Sequence, residues 1–204
     1  MSLTNYTDLK STVADWLARG DLSSVIPTFI TLAEVRFNRD LRLNAQDSTA
    51  SGTLSGPTVA IPADLVDLKR ITIVKNGAEF DLRYVSPEDF DGYAARSGYP
   101  RVYTSMTNNY MVAPGPDEDY TYTIYYSAKF APLTDASPTN WLMTNAPDVY
   151  LYGALLEAAP YLKDDARIAL WKQAYDFSIA KLRELDENMR YPNANLSMRP
   201  DKWA

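Results

Sequence analysis

The chain has 204 residues, 46% of them hydrophobic, and a formal charge of −6 at pH 7, enough apolar material for one good core or for one core with a smaller satellite domain. It contains neither cysteine nor histidine, which excludes disulfides, thiolate metal sites, thiol nucleophiles and the usual general base. The negative balance argues against a sequence-independent grip on nucleic acid, because that binding rests on Lys and Arg neutralising phosphates. The opening MSLTNYTDLK has no basic leader or hydrophobic h-region, and apolar runs elsewhere are short. The expectation is a soluble protein made in a cytoplasm, without signal peptide or membrane span.

A first helix is predicted to begin near Thr4 or Thr7, to carry Leu9, Val13, Trp16 and Leu17 at 3–4 spacing, and to stop at Gly20. Pro27 opens a second, TFITLAEVRFNRDLRLN, expected to end near Asn44, since proline in the first turn costs no hydrogen bond. At 100° per residue Ile26, Phe29, Ile30, Ala33, Phe37 and Leu41 form a core stripe. Leu32 and Val35 lie on the far side beside Arg39 and Arg42, with Arg36 and Asp40 between. An exposed i,i+4 ion pair adds only about 0.2–0.5 kcal/mol, so stability is a weak reason for this charge density. Glu34, Arg36, Arg39, Asp40 and Arg42 are therefore candidates for an oligomer interface, where Arg is favoured for directional pairing. A solvated charged face is the alternative reading.

From Ala45 to Ala128 the helical period gives way to Gly, Pro, Asn and β-branched residues. Asn76-Gly77 in VKNGAE fits a two-residue type I′ hairpin turn, whose central residues both take positive φ. Ile71 and Ile73, and Tyr120, Tyr122, Ile124 and Tyr126, alternate with polar residues as half-buried antiparallel strands do. Arg101 to Met106 and Tyr110 to Val112 read as a second hairpin around Asn108-Asn109. SPEDFDGYAA interrupts the strands with a short helix, with Ser86 as cap, Pro87 at its first position, and Glu88 and Asp89 at the positive end of the dipole.

Helical signals return in the last third. Asn145 is expected to cap APDVYLYGALLEAAPYL, and Asp164-Asp165 a final helix from Ala166 to about Asn188. There Trp171, Tyr175, Ser178, Leu182, Leu185 and Met189 follow heptad spacing. Pro192 and Pro200 forbid helix in YPNANLSMRPDKWA, which reads as an extended tail with apolar anchors. The expected fold is α+β: a helical bundle from 1–44 and 140–190, an inserted antiparallel β-rich region at 45–139, and an extended tail at 191–204.

No chemistry is specified. The eight glycines are scattered, so no phosphate loop is present. The acidic pairs have structural explanations: Asp89 and Asp91 in a helix N-terminal turn, Asp117 to Asp119 in a Pro-Gly-Pro turn, and Asp164-Asp165 at a cap. Asp117 to Asp119 lack the alternating ligands of a calcium loop. The expectation is a non-enzyme with no cofactor and no metal, and with no catalytic residues. A tail-associated glycan-binding module built on exposed tyrosines, or a glycan hydrolase using two carboxylates, remain as alternatives.

Three stretches, IPTFITLAEVRFNRDLR, SGYPRVYT and NWLMTNAPDVYLYGALLEAAPYLKDDARIALW, resemble the head-to-tail connector, or adaptor, proteins of tailed bacteriophages, over roughly Tyr6 to Tyr175. The resemblance implies a structural virion protein at the head–tail junction, made in the host bacterial cytoplasm. Its subunits would form a homo-oligomeric ring of about twelve copies beneath the portal protein, extend the DNA channel without specific DNA binding, and carry a downstream tail or nozzle protein. It further implies that the final helix and tail reach into portal grooves, with Tyr191, Leu196, Met198, Arg199 and Trp203 as docking residues.

Overall fold

A computed structural model describes residues 3–162 and 166–190. Helices and antiparallel sheets are both present, giving an α+β protein. The chain divides into a β unit, Ala45–Phe130, and a helical unit formed by the described residues up to Asn44 and from Ala131 onwards.

In the helical unit, α1 (Tyr6–Leu17) is capped by Asn5, whose side chain accepts from the Asp8 N–H. It ends at Ala18 in the left-handed region, φ 53°, so the stop falls two residues before the glycine expected to provide it. The next helix, α2 (Ile26–Asp40), ends earlier than the expected Asn44 because Leu41 is extended. Its apolar stripe is as the periodicity predicts: Ile26, Phe29, Ile30, Ala33, Phe37 and Leu41 are all buried.

Asn145 does not cap the following long helix. Asn140 caps a short helix, α4 (Trp141–Asn145), by accepting from the Met143 N–H; α3 (Pro87–Ala94) belongs to the β unit. Asn145 instead donates to the Trp141 carbonyl at 2.8 Å, and α5 (Pro147–Glu157) begins without a side-chain cap. Packed on α1, α2 and α6 (Arg167–Arg190), α5 buries Val149, Tyr150, Leu151, Gly153, Ala154 and Leu155, as a central helix must. Gly153 permits the closest approach: a Cβ there would lie 2.7 Å from the Phe37 ring. Phe37 also meets Tyr150 edge-on, with centroids 5.1 Å apart.

The heptad seam predicted for α6 is buried in part, at Trp171, Tyr175 and Leu182. Trp171, Tyr175, Ile179, Leu182 and Asp186 are buried, while Leu185 and Met189 are 55% and 66% exposed. A helix that does not supercoil drifts about 20° per heptad from a 3.5-residue repeat, so the buried line passes to Ile179 and Asp186. Ser178, half-buried, donates to the Asp148 carboxylate on α5. The expected Asp164-Asp165 cap lies outside the described residues.

The β unit holds two four-stranded sheets. The first orders β1 (Asp47–Leu54), β8 (Tyr120–Ala128), β3 (Leu65–Lys75) and β4 (Ala78–Asp81) side by side, and the second β2 (Thr58–Ala60), β7 (Asn109–Ala113), β6 (Val102–Met106) and β5 (Arg83–Tyr84). Pairing is antiparallel except for the short β5–β6 contact, which is parallel. Leu54, Ile71, Ile73 and Ile124 of the first sheet share a core with Val59, Tyr110 and Val112 of the second. Asn76 and Gly77 take φ 52° and 77° between β3 and β4, as the sequence predicts. The second hairpin turns one residue earlier than expected. Thr107 and Asn108 carry the positive φ, so Asn109 joins β7, paired with Met106. The helix at SPEDFDGYAA is α3 (Pro87–Ala94), capped by Ser86, and buries Phe90.

The chain re-enters the helical unit at Ala131, earlier than 139. Contacts over 131–139 explain this: Tyr6 N–H donates to the Pro138 carbonyl at 2.8 Å, and Lys10 pairs with Asp135 at 2.8 Å. The 191–204 tail lies outside the described residues.

Candidate functional site

The five charged residues of α2 and its C-terminal extension are placed in three different ways. Glu34 is 7% exposed, and its Oε1 accepts from the Leu133 N–H at 2.7 Å and from the Tyr150 hydroxyl at 3.2 Å. Asn140 completes the network by donating to the Tyr150 oxygen at 2.6 Å. Burial raises the Glu34 pKa above the ordinary carboxylate value, against the opposite pull of the two hydrogen bonds. Its carboxylate thus binds 131–139 to α2 and α5 and presents nothing outward. The signal for this was in the spacing: Glu34 is i+4 from Ile30 and i−3 from Phe37, on the edge of the core stripe.

Arg36 pairs with Glu157 at the end of α5, not with Asp40, and lies 6.0 Å from the Tyr175 ring centroid. Arg42 folds back on the last turn of α2, donating to the carbonyls of Asn38, Arg39 and Leu41 at 3.0, 3.3 and 2.6 Å. The Asn38 and Arg39 carbonyls belong to the last turn of α2, at the negative end of the dipole, so a guanidinium suits them.

Arg39 and Asp40 are exposed. Asp40 gives its backbone carbonyl to Arg183 at 2.8 Å, but among the described residues neither side chain forms an ion pair.

Facing them on α6 is a second charged row. Asp186 is buried, accepting from the Asn44 N–H at 2.6 Å and from Arg190 at 2.8 Å, and Arg190 also donates to the Arg42 carbonyl at 3.2 Å. Asp40, Arg42, Arg183, Asp186, Glu187 and Arg190 line a shallow cleft of about 300 Å³. Asp40 also borders a neighbouring cleft with Arg36, Arg39, Lys172, Tyr175 and Asp176. Among the described residues, the Tyr175 hydroxyl, buried there, has no hydrogen-bond partner. Burial, and secondarily the charge of Asp40, push its pKa up to about 12. The α2–α6 seam is therefore a charged surface whose inner groups are bonded within the subunit and whose outer groups, Arg39 and Asp40, are left to the outside. Sequence reasoning missed Arg183, Asp186 and Arg190, which no local pattern links to α2.

Of the remaining acidic candidates, Asp89 and Asp117 have structural partners, and Asp164 and Asp165 lie outside the described residues. Asp89 accepts from the Ser86 hydroxyl at 2.9 Å in the α3 capping turn. Asp117 accepts from the Tyr120 hydroxyl at 2.7 Å, which holds its carboxyl below the ordinary range. Among the strand tyrosines, Tyr120 and Tyr126 are buried in the sheet core, and Tyr126 donates to Asp64 at 3.0 Å. Among the described residues, no group of three or more acidic side chains is arranged to hold a metal ion. Tyr191, Leu196, Met198, Arg199 and Trp203 lie outside the described residues.

The family model described as SU10 adaptor protein matches residues 4–199. The chain belongs to the SU10 adaptor protein family. This is a phage head–tail adaptor family, so the protein is a structural component of the virion that assembles with other head and tail proteins. No individually curated protein matches the chain. Among the described residues, no helix of this adaptor is long and apolar enough to cross a membrane.

Proposed function

We propose that this adaptor is the head-to-tail connector subunit that forms a homo-oligomeric ring of about twelve copies beneath the portal, extends the DNA channel, and serves as the platform for the next tail or nozzle protein. The observation that carries this reading is membership of an adaptor family over nearly the whole chain, residues 4–199. A closed ring uses heterologous contacts, in which one surface of a copy meets a different surface of the next. Arg39 and Asp40, exposed and without ion pairs among the described residues, supply charges that such a contact would use, with Arg36 and Arg42 at its edge and Glu34 kept inside the subunit. The net charge of −6 suits a conduit through which DNA slides without sticking. Tyr191, Leu196, Met198, Arg199 and Trp203 are the proposed portal-docking residues, with the aromatic and apolar side chains as anchors.

The test is co-sedimentation of the purified adaptor with the portal from the same genome. The full chain is expected to sediment with the portal, and a variant ending at Arg190 to remain folded but stay in the supernatant. A full chain that ignores the portal would overturn the connector reading, and a shortened chain that still binds would overturn the tail's role.

A further inference from the structure

Three of the four sheet edges in the β unit are guarded against a further strand, and one is not. β2 and β5 have three and two residues, and β4 has four, of which Glu79 and Asp81 are acidic. Short strands and charged strands both keep an edge from pairing. β1 has neither protection. It runs for eight residues, Asp47–Leu54, with no proline or lysine and no charge after Asp47. Its register with β8 is continuous from end to end, without a bulge. Among the described residues its other side pairs with no strand, so that side offers a row of backbone N–H and C=O groups.

The core-facing side of this edge is short of side chain. Leu54 is buried, and Ser48, Ala50 and Gly52 are half-buried, opposite Tyr126, Ile124 and Tyr122 of β8. The Tyr122 ring lies across Gly52, where a Cβ would meet its hydroxyl at 2.7 Å, and the ring is itself only half-buried. A strand beside β1 would extend the core if it carried apolar groups at every second position on that face.

One segment of the chain has that pattern. Between Pro192 and Pro200 the sequence reads NANLSMR, in which Ala194, Leu196 and Met198 alternate with polar residues as a half-buried strand does. It also sets out from near the start of β1. Arg190, the last residue of α6, and the Asn44 N–H both bond the Asp186 carboxylate, and Arg190 also donates to the Arg42 carbonyl. Asn193 is three residues beyond Arg190 and Asp47 three beyond Asn44, each a reach of about 10 Å. Two segments that leave one place and pair side by side run parallel.

We propose that residues 193–199 add to β1 as a parallel fifth strand of the first sheet, with Ala194, Leu196 and Met198 beside Ser48, Ala50 and Gly52. Met198 then covers the open side of the Tyr122 ring. Pro192 and Pro200 end the pairing, since proline has no N–H to give. The proposal concerns the free subunit, and the portal docking proposed above for Leu196 and Met198 requires the strand to leave β1 first.

The natural chain has no cysteine, and adjacent strands lie about 4.8 Å apart, within the Cα separation that a disulfide spans. In the parallel register Arg199 falls beside Thr53. A Thr53→Cys/Arg199→Cys variant of the full chain, oxidised without the portal, is therefore expected to close an intrachain disulfide, read as loss of free thiol in a monomer. Thr49→Cys/Arg199→Cys, four residues out of register, should keep its thiols. No intrachain disulfide in the first variant, or closure in the second alone, as antiparallel pairing would give, would overturn the proposal. Disulfides formed only between copies would overturn it too. Hydrogen exchange on the natural chain and on one ending at Arg190 gives a reading free of new cysteines: the β1 amides that point away from β8 should lose protection in the shorter chain. Equal exchange in the two chains would overturn the strand and leave the connector reading to its own test with the portal.

Discussion

In its apolar side chains the β unit closes on itself, and the helical unit does not. In the sheets, strand tyrosines fill the shared core and turn hydroxyls to Asp117 and Asp64, and the large apolar side chains left outside are Phe80, Tyr84, Tyr93 and Met106, two of them tyrosines whose polar tips tolerate water. The helical unit buries a well-packed centre around α5 yet leaves Leu32, Val35, Leu170, Phe177, Leu185 and Met189 uncovered, and Arg39 and Asp40 exposed and without ion pairs among the described residues. Two units of one chain thus use similar sequence material differently, and the proposed assembly surface draws on the helices.

The comparison can be broken first at the helical centre. Gly153→Val places side-chain atoms against the buried Phe37 ring and is expected to cost about 3 kcal/mol, as overpacking does. All four tryptophans lie outside Ala45–Phe130, so tryptophan fluorescence during urea unfolding follows the helical unit and should show this loss as an earlier transition.

Glu34→Ala comes next. It strands the Leu133 N–H and the Tyr150 hydroxyl without their acceptor and should cost about 2 kcal/mol. Glu34→Gln keeps an acceptor and separates charge from hydrogen bonding. Because the folded-state pKa of Glu34 is raised, its contribution to stability is full below the ordinary carboxylate value and is lost as pH rises through the raised one. The natural chain should therefore lose stability over that window relative to Glu34→Gln, a difference readable from paired unfolding curves at several pH values.

In the β unit, Gly77→Val forces a side chain into a φ of 77° and should cost about 1–2 kcal/mol, the penalty of left-handed backbone for an L-residue. Tyrosine near-UV circular dichroism should move while the tryptophan transition stays in place; a shared shift would mean that the two units unfold together. The smallest effect on stability is expected for Asp40→Lys, within about 0.5 kcal/mol as for exposed substitutions generally. That variant should nonetheless lose ring assembly, and unchanged assembly would remove Asp40 from the interface.

Where a residue's fate was set by its neighbours in sequence, it could be read in advance. The α2 stripe follows from 100° spacing, the Asn76-Gly77 turn from the need for two positive φ values, and the Ser86 cap from its position before Pro87. What tertiary contacts decide was not legible. Asn108-Asn109 offered the right residue type one position too late, because pairing of Asn109 with Met106 fixed the register. Asn145 had capping chemistry, but Asn140 took that role one helix earlier. The heptad reading of α6 held at Trp171, Tyr175 and Leu182 and failed at Leu185 and Met189, which are exposed. Of the α2 charges, Arg39 and Asp40 are exposed, whereas Glu34 is internal because its partners come from 133 and 150, far along the chain.

The most direct test of the central claim, that this adaptor assembles through its helical unit into a portal-templated ring, is mass photometry of the protein alone and with the portal of the same genome. The account predicts a large species that needs the portal or is enlarged by it, with a mass matching a closed ring of adaptor subunits, and its loss in Asp40→Lys. An adaptor of 22.9 kDa that stays monomeric whether or not the portal is present would contradict it.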